Sequence, residues 1–233
     1  MNKNYKISEP FFEYGPKCYM YGETLVEMAK GLDKLAEKYD MDIVLDIPDT
    51  EIYNVARNVK RVHVYSQHMD SIPVGRGMGR TLPEAVKAAG AVGVMLNHAE
   101  RKLTLEEIEQ AIKRADELGL ATMVCADSIE EVKAVAKLGP NILVAEPTEL
   151  IGTGKPADKE YVDEVIKVIR EINPDIKPFP SAGISKGEDC YNIIKAGASA
   201  SGCSSAIAKA ENPLKLAEEM ISAVRRAYDE TRK

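Results

Sequence analysis

The residues best suited to chemistry in this 233-residue sequence lie in one stretch, Asn141 to Pro156. Ile142 to Ala145 reads as a short buried strand, Glu146 stands at its end, and Pro147 and the run Gly152-Thr153-Gly154 follow. A carboxylate at the rim of an apolar strand sits where burial can raise its pKa toward the working range of a general base. The glycines beyond it let backbone N–H groups approach an anion. Taken alone, the stretch fits an exposed loop glutamate as well as a catalytic one.

The other polar residues that follow strand-like segments decide the matter. They are Lys17 behind the rigid Gly15-Pro16 exit, Gln67 to Asp70, Asn97-His98-Ala99-Glu100, Ser181-Ala182-Gly183 and Ser204-Ser205. Together they supply a fixed cation, a histidine, a candidate base, and small or Gly-rich backbone in three loops. That set suits a small phosphorylated carbonyl compound. Glu100 either pairs with Lys17 or faces solvent, and Ser204-Ser205-Ala206 is either a tight helix start or a phosphate site. His63 and His68 read as structural, Asp70 is undecided, and Arg76 to Arg80 reads as a basic loop or surface turn.

Positioning these residues at one place requires a repeating scaffold, and the chain has one. Phe11 to Tyr14 reads as a strand and Gly22 to Lys38 as a helix; Asp42 to Asp46 and Thr50 to Asn58 repeat the pair, as do Val62 to Ser66 and Leu82 to Ala89. Val92 to Leu96 leads to a helix from Thr104 to Leu118, and Ala121 to Cys125 to one from Ser128 to Leu138, each opened by a capping box. After the Glu146 strand come a helix over Asp158 to Ile172, a strand over Ile176 to Pro180, a helix over Gly187 to Ala196, a strand over Ser199 to Cys203, and a closing helix over Pro213 to Arg226. Eight strand–helix units of roughly 25 to 30 residues each predict an α/β fold, a single (β/α)8 barrel domain over residues 1–233. An open doubly wound sheet fits less well, because the GxGxxG fingerprint after the first strand is absent. In a barrel, every strand's C-terminal end opens on one face, where the loops carry the chemistry.

Composition narrows the function class. Hydrophobic residues make up 45% and charged residues 29%, and the net charge of -6 argues against a nucleic-acid or anionic-membrane surface. Cys18, Cys125, Cys190 and Cys203 are scattered with no CxxC pair, which predicts buried thiols in a reducing compartment rather than a metal cluster or disulfide framework. The N-terminal residues have no apolar core and no run reaches membrane-helix length, so a cytoplasmic location is expected.

On Ala145-Glu146-Pro147 through Glu149-Leu150-Ile151-Gly152-Thr153-Gly154, Asn97-His98 with Glu100, Gln67-His68, Leu82-Pro83-Glu84-Ala85-Val86 and Ala182-Gly183-Ile184-Ser185, the sequence resembles the triosephosphate isomerase family, particularly its shorter archaeal-type members. The resemblance covers almost the whole chain and implies a TIM barrel, no metal or other cofactor, and a homo-oligomer, dimer or tetramer, working on a small phosphorylated sugar in glycolysis and gluconeogenesis. It implies Glu146 as the base, His98 as a neutral electrophile and Lys17 as the cation at an enediolate, with Glu100 supporting them. In this family that division of labour is established. Pro147 to Gly154 resembles the family's lid, and Ile151, Gly152, Gly183, Ser204 and Ser205 its phosphate-binding backbone; closure protects an enediol phosphate from eliminating phosphate.

Four positions depart from the family pattern. Gly15 replaces the Asn of Asn-x-Lys, Ala99 the Ser of Asn-His-Ser-Glu, Met78 the interface Thr, and Ala206 a Gly. Gly15 and Met78 together predict one enlarged, less polar corner of the pocket. Triose phosphate isomerisation is the expected function; the same chemistry on a tetrose or pentose phosphate, or a non-catalytic sugar-phosphate-binding barrel, are the alternatives.

Overall fold

The computed structural model describes residues 1–231. Eight strands form one parallel sheet: β1 (Phe11–Tyr14), β2 (Asp42–Ile47), β3 (Val62–Ser66), β4 (Gly93–Leu96), β5 (Ala121–Ala126), β6 (Ile142–Ala145), β7 (Lys177–Pro180) and β8 (Ala200–Cys203). The hydrogen-bonded order is β7-β6-β5-β4-β3-β2-β1-β8, which brings the two end strands together and makes a nearly closed (β/α)8 barrel. The closing seam is thin for a reason written in the sequence. Lys177 and Ser181 donate their N–H groups to Asn141 and Ala145 on the β6 side, so the alternate residues Pro178 and Pro180 face β8 with no N–H to give. The Ser199 N–H to the Pro178 carbonyl, 2.9 Å, crosses the seam instead.

The helices α1 (Gly22–Lys38), α2 (Ile52–Ala56), α3 (Pro83–Ala89), α4 (Leu105–Leu118), α5 (Ile129–Leu138), α6 (Lys159–Ile172), α7 (Gly187–Lys195), α8 (Ser205–Ala208) and α9 (Pro213–Thr231) follow the expected order. Three differences have local causes. A 3-10 turn over Asp49–Glu51 takes the place of the first turn expected for α2. The capping box at Thr104 forms, whereas at Ser128 only half does: Ser128 accepts from the Glu131 N–H, but the Glu131 carboxylate turns to the Asp127 N–H and to Asn97. The last helix runs on to Thr231, because Ala223, Val224 and Ala227 continue its buried stripe. Among the described residues, no helix is long and apolar enough to cross a membrane.

Strand periodicity sorts the side chains into two cores. Leu45, Leu96, Leu143 and their like pack outward against the helices. Phe11, Val44, Tyr65, Met95, Met123, Val144 and Phe179 fill the barrel interior, where Gly93 admits the Tyr65 ring: a Cβ at Gly93 would lie 2.4 Å from it. The same period of two carries three acidic residues inward at the upper ends of their strands: Glu13 after Phe11, Asp46 after Val44, and Glu146 after Val144. Cys125, Cys190 and Cys203 are buried thiols, as expected, and Cys18 is exposed.

Candidate active site

At the C-terminal mouth of the barrel a cavity of ≈ 360 Å³ is lined by Lys17, His98, Glu100 and Glu146, with Glu13 and Asp46 among its other walls. The four residues nominated from sequence come from loops after β1, β4 and β6. Lys17 leaves β1 through Gly15-Pro16 in a left-handed conformation, φ 50°, which turns its ammonium to Glu100 Oε1 at 2.6 Å. Glu100 is therefore paired.

Asn97, also left-handed at φ 58°, anchors the loop that carries His98. Its buried amide donates to the Cys125 carbonyl and to Glu131 Oε1, both at 2.9 Å, and its carbonyl oxygen accepts the Leu103 N–H. His98 Nδ1 accepts the Glu100 N–H at 3.1 Å, which leaves the ring proton on Nε2. Nε2 lies 3.5 Å from Glu146 Oε2. Burial, reinforced by the Lys17 charge, holds the His98 pKa below its ordinary value, so the ring is neutral. Burial among Val144, Met95 and Phe179 pushes Glu146 up to about 7, with Lys17 opposing the rise and Asp46 adding to it. A neutral N–H donor and a carboxylate poised near neutrality thus face one another in a half-dry pocket, the arrangement proton transfer beside a carbonyl requires.

A second cavity, ≈ 270 Å³, adjoins the first and shares Glu146 and Ser181 with it. Gly152, Gly183, Ser204 and Ser205 line it; Ile151 does not. Gly152 and Gly183 are left-handed, and a Cβ at Gly183 would stand 1.9 Å from the Lys155 carbonyl, so glycine lets the lid's far end seat on the β7 loop. Ser204 Oγ is buried without a hydrogen-bond partner, a polar atom left for a ligand. Lys209, which the sequence did not single out, adds a cation to the wall.

The enlarged, less polar space expected beside Gly15 is not there. A Cβ at Gly15 would lie 2.8 Å from Glu13 Oε1 and 2.9 Å from both Asp46 carboxyl oxygens, so acidic groups occupy the space. Met78, expected at a subunit interface, lies fully exposed on its loop. Glu13 and Asp46 were the residues that sequence reasoning passed over, although an acid inside an otherwise apolar strand is a visible signal. Asp70, left undecided by the sequence, gathers Arg80 at 2.8 Å and the Thr81 N–H at 2.7 Å, and His63, read as structural, bonds Tyr5 at 2.9 Å; both hold loops and strands in place.

Comparison with known proteins agrees with this geometry. The family model described as triosephosphate isomerase matches residues 15–179. The triosephosphate isomerase of Sulfurisphaera tokodaii is 40% identical over 90% of this chain and 92% of its own. That of Methanobacterium bryantii is 40% identical over 87% of this chain and 91% of its own, and that of Methanosarcina mazei 37% identical over 94% and 100%. With barrel, mouth residues and relatives all in agreement, the chain belongs to the triosephosphate isomerase family.

Proposed function

We propose that the chain is an aldose–ketose isomerase, a single barrel domain that interconverts glyceraldehyde 3-phosphate and dihydroxyacetone phosphate through a cis-enediolate. The observation that carries this reading is the 3.5 Å approach of His98 Nε2 to Glu146 Oε2 beside the Lys17 ammonium. The names of the relatives favour triose phosphate over a longer sugar.

Glu146 removes a proton from the carbon next to the carbonyl; the C–H electron pair becomes the C=C bond of the enediolate, and the carbonyl π pair moves to oxygen. The His98 N–H stabilises that oxygen by hydrogen bonding, and Lys17 supplies a fixed positive charge. Proton transfer between the two oxygens, and return of the proton from Glu146 to the neighbouring carbon, complete the isomerisation. The phosphate sits against Gly152, Gly183, Ser204 and Ser205 with Lys209 at the wall, and Ile151 contributes to the lid. The lid of residues 147–154 closes over it to exclude water. The same reading makes the protein a cytoplasmic homo-oligomer; Val74 and Met78, exposed on the loop after β3, support a contact there.

A coupled assay on both triose phosphates, with a tetrose and a pentose phosphate alongside, tests the reading. Glu146→Gln is expected to fold and to lose about 10³-fold in kcat, within the range of a removed general base. Full activity in that variant would sink the mechanism, and turnover of the longer sugars alone would sink the substrate.

A further inference from the structure

Glu13 and Asp46 are 7% and 3% exposed, and both lie on inward-facing positions of strands that otherwise bury apolar side chains. Burying two acids costs stability unless they find partners. They hydrogen-bond to each other, and three of their carboxyl oxygens converge within 2.9 Å of the point where a Gly15 Cβ would be. Glu13 Oε2 lies against Gly202 on the other side, where a Cβ would come within 2.5 Å. Two glycines therefore make room for one carboxyl group. Asp46 Oδ1 remains buried with no hydrogen-bond partner in the protein, yet Asp46 lines the reaction cavity.

The pair sits beneath Gly15 at the ends of β1 and β2 and lines the reaction cavity; neither residue lines the second cavity, which Glu13 approaches only through Gly202. We propose that Glu13 and Asp46 form a carboxyl pair sharing one proton, which binds a hydroxyl at the end of the substrate remote from its phosphate.

Two carboxylates so close cannot both ionise, so one holds a proton and donates it to the other. Burial first, then the Asp46 charge, raises the Glu13 carboxyl well above the usual range, which assigns the proton to Glu13. Asp46 is then the acceptor, and the carboxylate oxygen that Glu13 does not engage takes the substrate O–H. A site built around a hydroxyl discriminates strongly against ligands that lack it, because its buried acceptor is then left unpaired. The pair so stands where the family's first-strand asparagine would place an amide, and its recognition is of a donor rather than of an anion.

The inference rests on the proposed function for the placement of the phosphate, but its test needs no turnover. Calorimetric titration compares glycerol 3-phosphate, 2-hydroxypropyl phosphate, which lacks only the terminal hydroxyl, and inorganic phosphate on wild type, Asp46→Asn and Glu13→Gln. Wild type is expected to prefer glycerol 3-phosphate to 2-hydroxypropyl phosphate by about tenfold or more, the discrimination of one hydrogen bond to a charged group. Asp46→Asn, which removes the charged acceptor, should lose that preference, and Glu13→Gln, whose amide N–H can still donate to Asp46, should keep it; in both, the affinities for 2-hydroxypropyl phosphate and inorganic phosphate should stay within about twofold, since neither ligand reaches the pair. Should a variant fail to fold, Gly15→Ala displaces the same three oxygens with a methyl group and should abolish the same preference. A preference kept in folded Asp46→Asn or Gly15→Ala, a preference lost in folded Glu13→Gln, no preference in wild type, or equal weakening of all three ligands would overturn the inference, the last by making the pair purely structural. Failure of the isomerase reading appears separately, as a wild type silent on triose phosphates that still shows the hydroxyl preference.

Discussion

His98 Nε2 and Glu146 Oε2 stand 3.5 Å apart, brought together from the ends of β4 and β6. The contact is not an ion pair. Burial is the first cause of both shifts, lowering the histidine and raising the glutamate, so the same apolar walls hold each group toward its uncharged form.

That relationship sets the pH dependence. Glu146 works as a base only when ionised, so kcat/KM should rise with pH through about 7 and level off above it. Stability runs the other way. The folded value lies above the ordinary 4.5, so the fold binds this proton more tightly than the unfolded chain does, and Glu146 costs stability increasingly as pH rises from 4.5 to about 7. Glu146→Gln should therefore raise the stability above that range, by on the order of 1–3 kcal/mol, and change it little at acid pH. Thermal scans at both ends check this; a Tm lowered at alkaline pH would contradict it.

Lys17 and Glu100 should separate kinetics from stability. Their pair is partly exposed, with Glu100 65% open to solvent, and pairs of that kind contribute about 0–1 kcal/mol to folding. Lys17→Met should leave Tm nearly unchanged and lower kcat/KM by about 10²–10³-fold, as for loss of a preorganised charge. Glu100→Gln should cost less, about tenfold, because the cation remains. Steady-state kinetics on the two variants decide the order; a larger loss at Glu100 would refute it.

Asn97 positions His98 from outside the pocket. Asn97→Ala strands the Cys125 carbonyl and the Leu103 N–H and puts a Cβ residue without a compensating amide at φ 58°. A loss of about 2–4 kcal/mol follows from the unpaired groups. Denaturant unfolding reads the loss, and kcat should fall more than KM changes, because the imidazole is misdirected while the phosphate cavity is untouched.

Gly183→Ala probes the lid seat. The new methyl group would collide with the Lys155 carbonyl and sit at φ 68°. Inorganic phosphate should bind at least about tenfold more weakly, with a stability loss of about 1–3 kcal/mol. Titration with phosphate alone is sufficient, and unchanged affinity would place the anion elsewhere.

Most of the frame was legible because its signals are local. Thr104 with Glu107 fixed the start of α4, and the short apolar run Ile142 to Ala145 placed Glu146 at a strand end. Lys17, His98 and Glu146 could be nominated because strand ends in a barrel converge on one mouth. What stayed hidden depends on three-dimensional packing. That Glu13 meets Asp46 requires the register pairing Glu13 with Val44 and thus setting β1 beside β2, and that Gly15 yields its space to them requires knowing which way each side chain points. Ile151 was assigned by motif to the phosphate-binding backbone; its neighbour Gly152, left-handed at φ 72°, is in the cavity lining and Ile151 is not.

The prolines of β7 give the barrel a consequence beyond its shape. The strands on either side of the weak seam are the two whose following loops, at Gly183 and at Ser204, flank the phosphate cavity. On the proposed placement of the phosphate, it acts as a clasp across the join between β7 and β8, which main-chain pairing leaves nearly unfastened. Occupancy and closure then draw on the same free energy, so amide exchange in β7 and β8 should slow on adding phosphate while β3 and β4 hardly respond. The barrel is in this sense finished by its ligand.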